Sequence, residues 1–316
     1  MTLAYVLDGT LFDVTGLGVG LYERFAAVRR VYAEAAEWSG LEVDRLLRWE
    51  LTGLAEHRQA GAIRQAAAAL AVCDLLAEHG VRPDIVAGVS MGGVIGACMA
   101  EAVDRRDLFT LLKRSEGAPD PTGPRQGMAA LTVPAGVEVE EYLGGLPEGV
   151  HVAVDCGLTA DGEGRAIGLS GYVAALVDLA GKLPAGILKV LADMPIGLHS
   201  PLARQLQEFQ NSFIEGISFR DPVVPLCSCY EPKLLTTADE VRDMFLRNWV
   251  GKVSYPHVYA NLMDQGTDLA IMAGPGAADR FRGALECPVV QIEEPDDLSL
   301  ALTTLYELGQ LTSLRG

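Results

Sequence analysis

The sequence predicts an α/β protein, a parallel-sheet core interrupted by a compact α+β insertion. Two observations carry this. Short apolar runs alternate with helix-like stretches over the outer segments, 1–126 and 196–316, as sequential strand–helix units do. Between them, residues 127–195 hold strand-like runs and a helix in close succession, behind a Gly- and Pro-rich linker, SEGAPDPTGPRQG (115–127).

Leu3–Leu7 is a short apolar run stopped by Asp8-Gly9, a buried strand and then a turn. Ile63–His79 is rich in Ala and Leu and reads as a helix, with Gly80 where a helix-ending glycine sits and Pro83 just beyond. A second strand, Ile85-Val86-Ala87, follows, and the small apolar residues from Gly92 to Ala102 form a buried helix. In the insertion, Met128–Val133, His151–Val154 and Arg165–Leu169 read as strands and Tyr172–Leu183 as a helix. Beyond it come a helix (Leu202–Glu215), a strand (Val223–Cys227), a helix (Ala238–Trp249) and a strand (Leu269–Met272).

The 316 residues are 49% apolar and 21% charged, the balance of a globular protein with a sizeable core. Lys and Arg number 25 against 42 Asp and Glu, a net charge of −17. Nothing in that balance attracts phosphates, which argues against nucleic acid and anionic membranes as general partners. A local basic cluster of Arg105, Arg106, Lys113, Arg114 and Arg125 offers a docking patch for an acidic protein, or is a set of scattered solvated side chains. The six cysteines are dispersed, and the Cys227/Cys229 pair matches no metal or redox spacing. Reduced thiols, a start (MTLAYVLDGT) without a basic leader and the lack of a membrane-length apolar run together suit a soluble cytoplasmic protein.

Ile85-Val86-Ala87-Gly88-Val89-Ser90-Met91-Gly92-Gly93 has the order strand, sharp turn, helix. A nucleophile elbow needs this order, because small residues let the backbone turn tightly and expose the serine Oγ. The helix N-terminus favours negative charge beside the serine, and the Met91 N–H can face an oxyanion. The bland reading is a structural turn with an N-cap serine. A serine nucleophile needs a base. Of the five histidines, His57 and His79 lie in polar helical contexts, His151 opens a strand and His257 follows Pro256 in the first turn of a helix. His199, in Met194-Pro195-Ile196-Gly197-Leu198-His199-Ser200-Pro201-Leu202, has apolar flanks and precedes a helix, which suits a buried structural histidine as well as a base.

Gln65-Ala66-Ala67, Gly88–Gly92, Leu198–Leu202, Val224-Pro225-Leu226-Cys227-Ser228-Cys229, Arg247-Asn248 and Gly274-Pro275-Gly276 occur in this order. Their order and spacing, over nearly the whole chain, resemble the malonyl-CoA:acyl-carrier-protein transacylase family, including the acyltransferase domains of polyketide synthases. The resemblance implies an α/β-hydrolase-like large subdomain (1–126 and 196–316) and a ferredoxin-like small subdomain (127–195). It implies a Ser90–His199 dyad in which His199 deprotonates Ser90 and a backbone carbonyl near Asn248 orients the imidazole. It further implies oxyanion-hole N–H groups at Thr10 and Met91, and a substrate pocket that includes Gln65 and Ser115. The reaction implied is ping-pong: a thioester acylates Ser90, its thiol leaves, and a second phosphopantetheine thiol takes the acyl group. Such transfer needs no metal and no bound cofactor. Phosphopantetheine arrives on CoA or on an acidic acyl carrier protein, the partner that would dock on the basic patch.

The departures from the family pattern set the substrate expectation. Asp8-Gly9-Thr10-Leu11 replaces the usual G-Q-G-S, Val89 replaces the histidine before the serine, and Gly93 replaces an acidic residue. The family's malonyl-binding arginine lies 25 residues after its serine, a step that lands here on Ser115, with Arg114 one place earlier. One place on a helix rotates a side chain by about 100°. The expected acyl group is therefore non-carboxylated, with aminoacyl and peptidyl groups as candidates, in polyketide-type biosynthesis. The competing readings are a malonyl transacylase in which Arg114 fills the carboxylate-binding role, a hydrolase that edits carrier-bound thioesters, and an inactive homologue that docks carriers. A patatin-like lipase with a Ser–Asp dyad is a weaker variant, with Asp161-Gly162 as its Asp-Gly step.

Overall fold

A computed structural model describes residues 1–9, 18–48, 50–51, 60–159, 161–191 and 194–309. Its strands are β1 (Thr2–Leu7), β2 (Ile85–Gly88), β3 (Gln126–Pro134), β4 (Val150–Leu158), β5 (Gly164–Tyr172), β6 (Leu188–Leu191), β7 (Leu226–Cys227), β8 (Leu234–Leu235), β9 (Val253–Ser254), β10 (Thr267–Ala273) and β11 (Val289–Ile292). One sheet has the order β11-β10-β1-β2-β7-β8, parallel throughout except for the antiparallel edge strand β8. The other has the order β6-β3-β5-β4-β9; it is antiparallel except that β9 joins β4 in parallel. The fold is the mixed α/β architecture that the alternation of strands and helices predicts.

Strand β1 is central in the six-stranded sheet and buried on both faces, which is why it reads as an unbroken apolar run. Leu3, Tyr5 and Leu7 face one core with the helices Ala26–Ser39, Ala62–Glu78, Met91–Met99 and Arg105–Arg114. Ala4 and Val6 face a second core with the helices Tyr255–Asp264 and Ala278–Arg282. A third core lies between the five-stranded sheet and the helix Val173–Lys182.

Several boundaries differ from the sequence reading, three of them for reasons visible in the backbone. The helix after β2 stops at Met99 rather than Ala102, because Glu101 turns left-handed (φ 58°) and the Ala102 N–H closes on the Ala97 carbonyl at 2.9 Å. The expected strand Val223–Cys227 shrinks to Leu226–Cys227: Val223 gives its N–H to Ala100 (2.9 Å), and Pro225 has none to give. The linker ends earlier than expected, since Gln126 and Gly127 already belong to β3.

The ends of β1 and β2 lie side by side, with Leu7 opposite Gly88. The helix Met91–Met99 starts directly over this pair. A Cβ on Gly92 would sit 2.6 Å from the Leu7 carbonyl oxygen, a backbone atom held in the sheet. Gly92→Ala is therefore expected to lower stability by about 3 kcal/mol through overpacking. Urea unfolding of this variant against wild type measures it, and an unchanged midpoint would refute the close approach.

Candidate active site

Ser90 occupies the turn between β2 and the helix Met91–Met99 at φ 54° and ψ −117°, a conformation that non-glycine residues adopt only under constraint. The constraint is backbone packing. Val89 donates its N–H to the Leu7 carbonyl at 3.3 Å, and a Cβ on Gly9 would collide with the Val89 carbonyl and lie 3.0 Å from Ser90 Cβ. The turn that results has the shape of a nucleophile elbow, with its serine half-buried at the C-terminal edge of a parallel sheet. At the start of the helix, Gly92 and Gly93 give their N–H groups to Val89 and Ser90 (2.9 and 3.0 Å). The Met91 N–H, at the first helical position, is one of the helix-end donors that have no intrahelical acceptor. Thr10, the other expected donor, lies outside the described residues, as does His57.

The loop before Thr10 is anchored by Asp8. Its fully buried carboxylate accepts from the Gly9 N–H (2.7 Å), the Ala277 N–H (2.8 Å) and the Tyr255 hydroxyl. Gln65 donates from Nε2 to the Asp8 carbonyl at 2.9 Å, and its buried Oε1 has no hydrogen-bond partner among the described residues.

His199 is 7% exposed and also has a positive φ, 54°. Its Nδ1 stands 3.1 Å from the Gly251 carbonyl, with the Asn248 carbonyl as a second acceptor. A carbonyl only accepts, so Nδ1 carries the proton and Nε2 keeps its lone pair. Burial drives the imidazole pKa down to about 4, against a smaller upward pull from these two carbonyls. Among the described residues no carboxylate hydrogen-bonds this ring. The expected carbonyl near Asn248 is joined by Gly251, a contact across 52 residues that spacing cannot reveal.

The segment bearing these carbonyls follows the helix Ala238–Arg247. Arg247 donates two hydrogen bonds to the Glu231 carboxylate (2.7 and 3.0 Å) and stacks over Tyr230 at 4.5 Å, while the Tyr230 hydroxyl reaches Asn248 Oδ1 at 3.3 Å. Next to Tyr230, the buried Cys229 accepts the Ser254 N–H on its carbonyl at 2.8 Å. Gln207 grips the same segment, accepting from the Trp249 N–H at 2.8 Å.

Ser115 is buried and its Oγ accepts from Gln210 Nε2 at 2.8 Å. Arg114 turns away; it is exposed, and its guanidinium stacks over the Phe213 ring at 4.3 Å. Sequence reading missed Gln207 and Gln210. Their signal was two amides three residues apart on the otherwise apolar face of one amphipathic helix, Arg204–Ile214. In the expected basic patch, Arg106, Lys113, Arg114 and Arg125 are exposed. Arg105 is not available to it, being neutralised by Asp74 and Glu34. Asp161 lies on the exposed β4–β5 turn with its carboxylate bonded to Thr159 Oγ1 (2.6 Å) and the Glu163 N–H (3.0 Å). No cluster of three metal-ligating side chains occurs among the described residues, and no helix among them is long and apolar enough to cross a membrane.

Residues 59–120 match the sequence pattern of the patatin-like phospholipases. This stretch holds the Gln65 helix, β2, the elbow and the two helices after it. Over far more of the chain, the sequence is 24% identical to the malonyl CoA-acyl carrier protein transacylase of Bacillus subtilis, covering 96% of this chain and 98% of that protein. The crystal structure of the Synechocystis malonyl-CoA:ACP transacylase superposes with a TM-score of 0.80 at 24% identity, over 95% of this chain and 100% of that one. A type II polyketide synthase malonyl-transacylase, solved in complex with its acyl-carrier protein, superposes with a TM-score of 0.81 at 19% identity, over 96% and 100%. Sequence likeness and fold thus agree from end to end in resembling the malonyl-CoA:acyl-carrier-protein transacylases.

Proposed function

We propose that this acyltransferase moves an acyl group without a free carboxylate through an ester on Ser90. The acceptor is the phosphopantetheine thiol of an acyl carrier protein in polyketide-type biosynthesis, with aminoacyl and peptidyl groups as the candidate cargo. The observation that carries the substrate claim is the neutral Ser115–Gln210 pair at the step where the family pattern has its arginine. A malonyl carboxylate would call for a bidentate guanidinium. Arg114 is engaged with Phe213 instead, and an unpaired carboxylate buried beside Ser115 would cost on the order of several kcal/mol.

In the mechanism, Ser90 Oγ attacks the thioester carbonyl and His199 Nε2 takes its proton. The carbonyl electron pair becomes an oxyanion facing the Met91 N–H, with Thr10 as the proposed second donor. The C–S bond then breaks, and the imidazolium returns the proton to the departing thiol. A second thiol gives its proton to His199 and attacks the ester, and Ser90 recovers the proton as the C–O bond breaks. The chain's residues suffice for these steps; phosphopantetheine is part of the substrates. A relative solved with its carrier protein supports that class of partner, and Arg106, Lys113, Arg114 and Arg125 are the cations available to an acidic carrier. The six free thiols fit a cytoplasmic setting.

Intact mass after incubation with a panel of acyl thioesters tests the substrate claim. Aminoacyl or other neutral groups are expected on wild type at least about tenfold faster than malonyl, and on Ser90→Ala not at all. Malonyl loading at an equal rate would overturn the carboxylate-free assignment. An acyl-enzyme that decays in water as fast as with holo carrier protein would make the enzyme an editing hydrolase.

The histidine adds a pH prediction. Its base form is the neutral one, lost as pH falls through the folded pKa, which is about 4 rather than the ordinary 6.5. Acylation of Ser90 should therefore hold steady from neutral pH down to about pH 5 and fall only below that. Single-turnover labelling across this range measures it, and a half-loss near pH 6.5 would contradict the burial of His199.

A further inference from the structure

The turn that carries His199 is tied to the five-stranded sheet by side chains that the acyl-transfer steps leave unused. Gln126, at the start of β3, accepts the Gly197 N–H on Oε1 at 3.2 Å and donates from Nε2 to the Leu202 carbonyl at 3.4 Å. One carboxamide thereby spans both ends of the turn. Ser170, fully buried in β5, donates its hydroxyl to the Leu198 carbonyl, the peptide immediately before the histidine. The two residues share a face of the sheet: Met128 stands opposite Ser170, and Gln126 lies two places from Met128 on the same strand. From the other side, the Trp249 carbonyl takes the His199 N–H at 2.7 Å.

This concentration of bonds meets a physical need. A non-glycine residue at φ 54° costs about 1–3 kcal/mol and persists only where its surroundings over-determine it. Ser200 closes the turn on itself, with its hydroxyl on the Gly197 carbonyl (2.7 Å) and the Leu202 N–H on its Oγ (3.2 Å). Those local bonds fix the shape of the turn. They do not fix where it stands relative to the elbow, which belongs to the other sheet.

We infer that Gln126 and Ser170 are positioning residues for acyl transfer, holding the Leu198–His199 peptide so that the five-stranded sheet sets the reach of the base toward Ser90. The inference rests on the proposed Ser90–His199 chemistry. It assigns that sheet a part in catalysis through two side chains that need touch no substrate.

The test is a double-mutant cycle read with a fluorophosphonate, which reports an activated serine whatever the acyl group. Gln126→Leu and Ser170→Ala should each slow Ser90 labelling by about 10- to 100-fold, the scale of a small misplacement of a catalytic group. In a His199→Ala background the same changes should alter the residual rate by less than about twofold, because nothing is left to position. Ser170→Thr, which keeps the hydroxyl, should restore most of the rate. Should Gln126→Leu fail to fold, the Ser170→Ala and Ser170→Thr pair carries the same test. Equal slowing in both backgrounds, or no slowing in either, would overturn the positioning role. Failure of wild type to label at Ser90 would sink the proposed function itself.

Discussion

The site depends on one backbone contact, the seating of the β2–helix elbow against the end of β1. Gly9 and Gly92 let the two backbones meet where side chains would separate them. That contact holds Ser90 in a conformation it would not adopt free, and it leaves the Met91 N–H at the mouth of the helix. Because β1 and β2 are parallel neighbours, their C-terminal ends and the loops after them open on one edge of the sheet, where open α/β sheets gather their ligand-binding groups. Asp8 extends the same constraint. With its carboxylate on Gly9, Ala277 and Tyr255, it ties the end of β1 to the helix Tyr255–Asp264 and to the residue before the helix Ala278–Arg282.

The histidine solves a different problem. A base is commonly oriented by a carboxylate, which also stabilises the imidazolium formed on proton transfer. Here, among the described residues, the ring's partners are carbonyl dipoles, from Gly251 and Asn248, and it is deeply buried. Burial keeps it neutral and ready at any pH near 7, at the cost of a weak thermodynamic pull on the serine proton. A weak base gains most from exact distance and direction, since those can be set before the reaction. That is the physical reason for the bonds gathered around His199, which reach it from the five-stranded sheet, from Gln207 and from the loop after Arg247.

The features that local chemistry dictates were legible in the sequence. Strand β1 shows itself because burial on both faces demands an unbroken apolar run, and the Ala62–Glu78 helix because Gly80, at φ 75°, ends it as a glycine should. The elbow is legible because few residues tolerate its turn. What was hidden depends on partners distant in sequence. The short β7 owes its length to Val223 bonding Ala100 rather than the sheet, and the Gly251 carbonyl that orients His199 carries no side-chain signature at all. Gln126 falls in a stretch that reads as linker, so its bond to the histidine turn appears only once β3 is formed.

The helix Arg204–Ile214 connects the two halves of the proposed chemistry. Gln207 and Gln210 lie three residues apart and so face the same way. One holds the Trp249 peptide, next to the carbonyls that orient the base; the other holds Ser115, where the proposed acyl site lacks its cation. A guanidinium at 115 would need the space and the anionic partner that Gln210 does not provide. A neutral amide, hydroxyl or amine-bearing acyl group asks for donors and acceptors of the kind this pair presents. Exchanging serine for arginine alone would therefore leave Gln210 facing a buried charge it cannot neutralise. The proposed preference for carboxylate-free cargo thus rests on two residues rather than one. The second sits on the helix that also holds the peptide beside His199, so the proposed acyl site and the proposed base share a single rigid element.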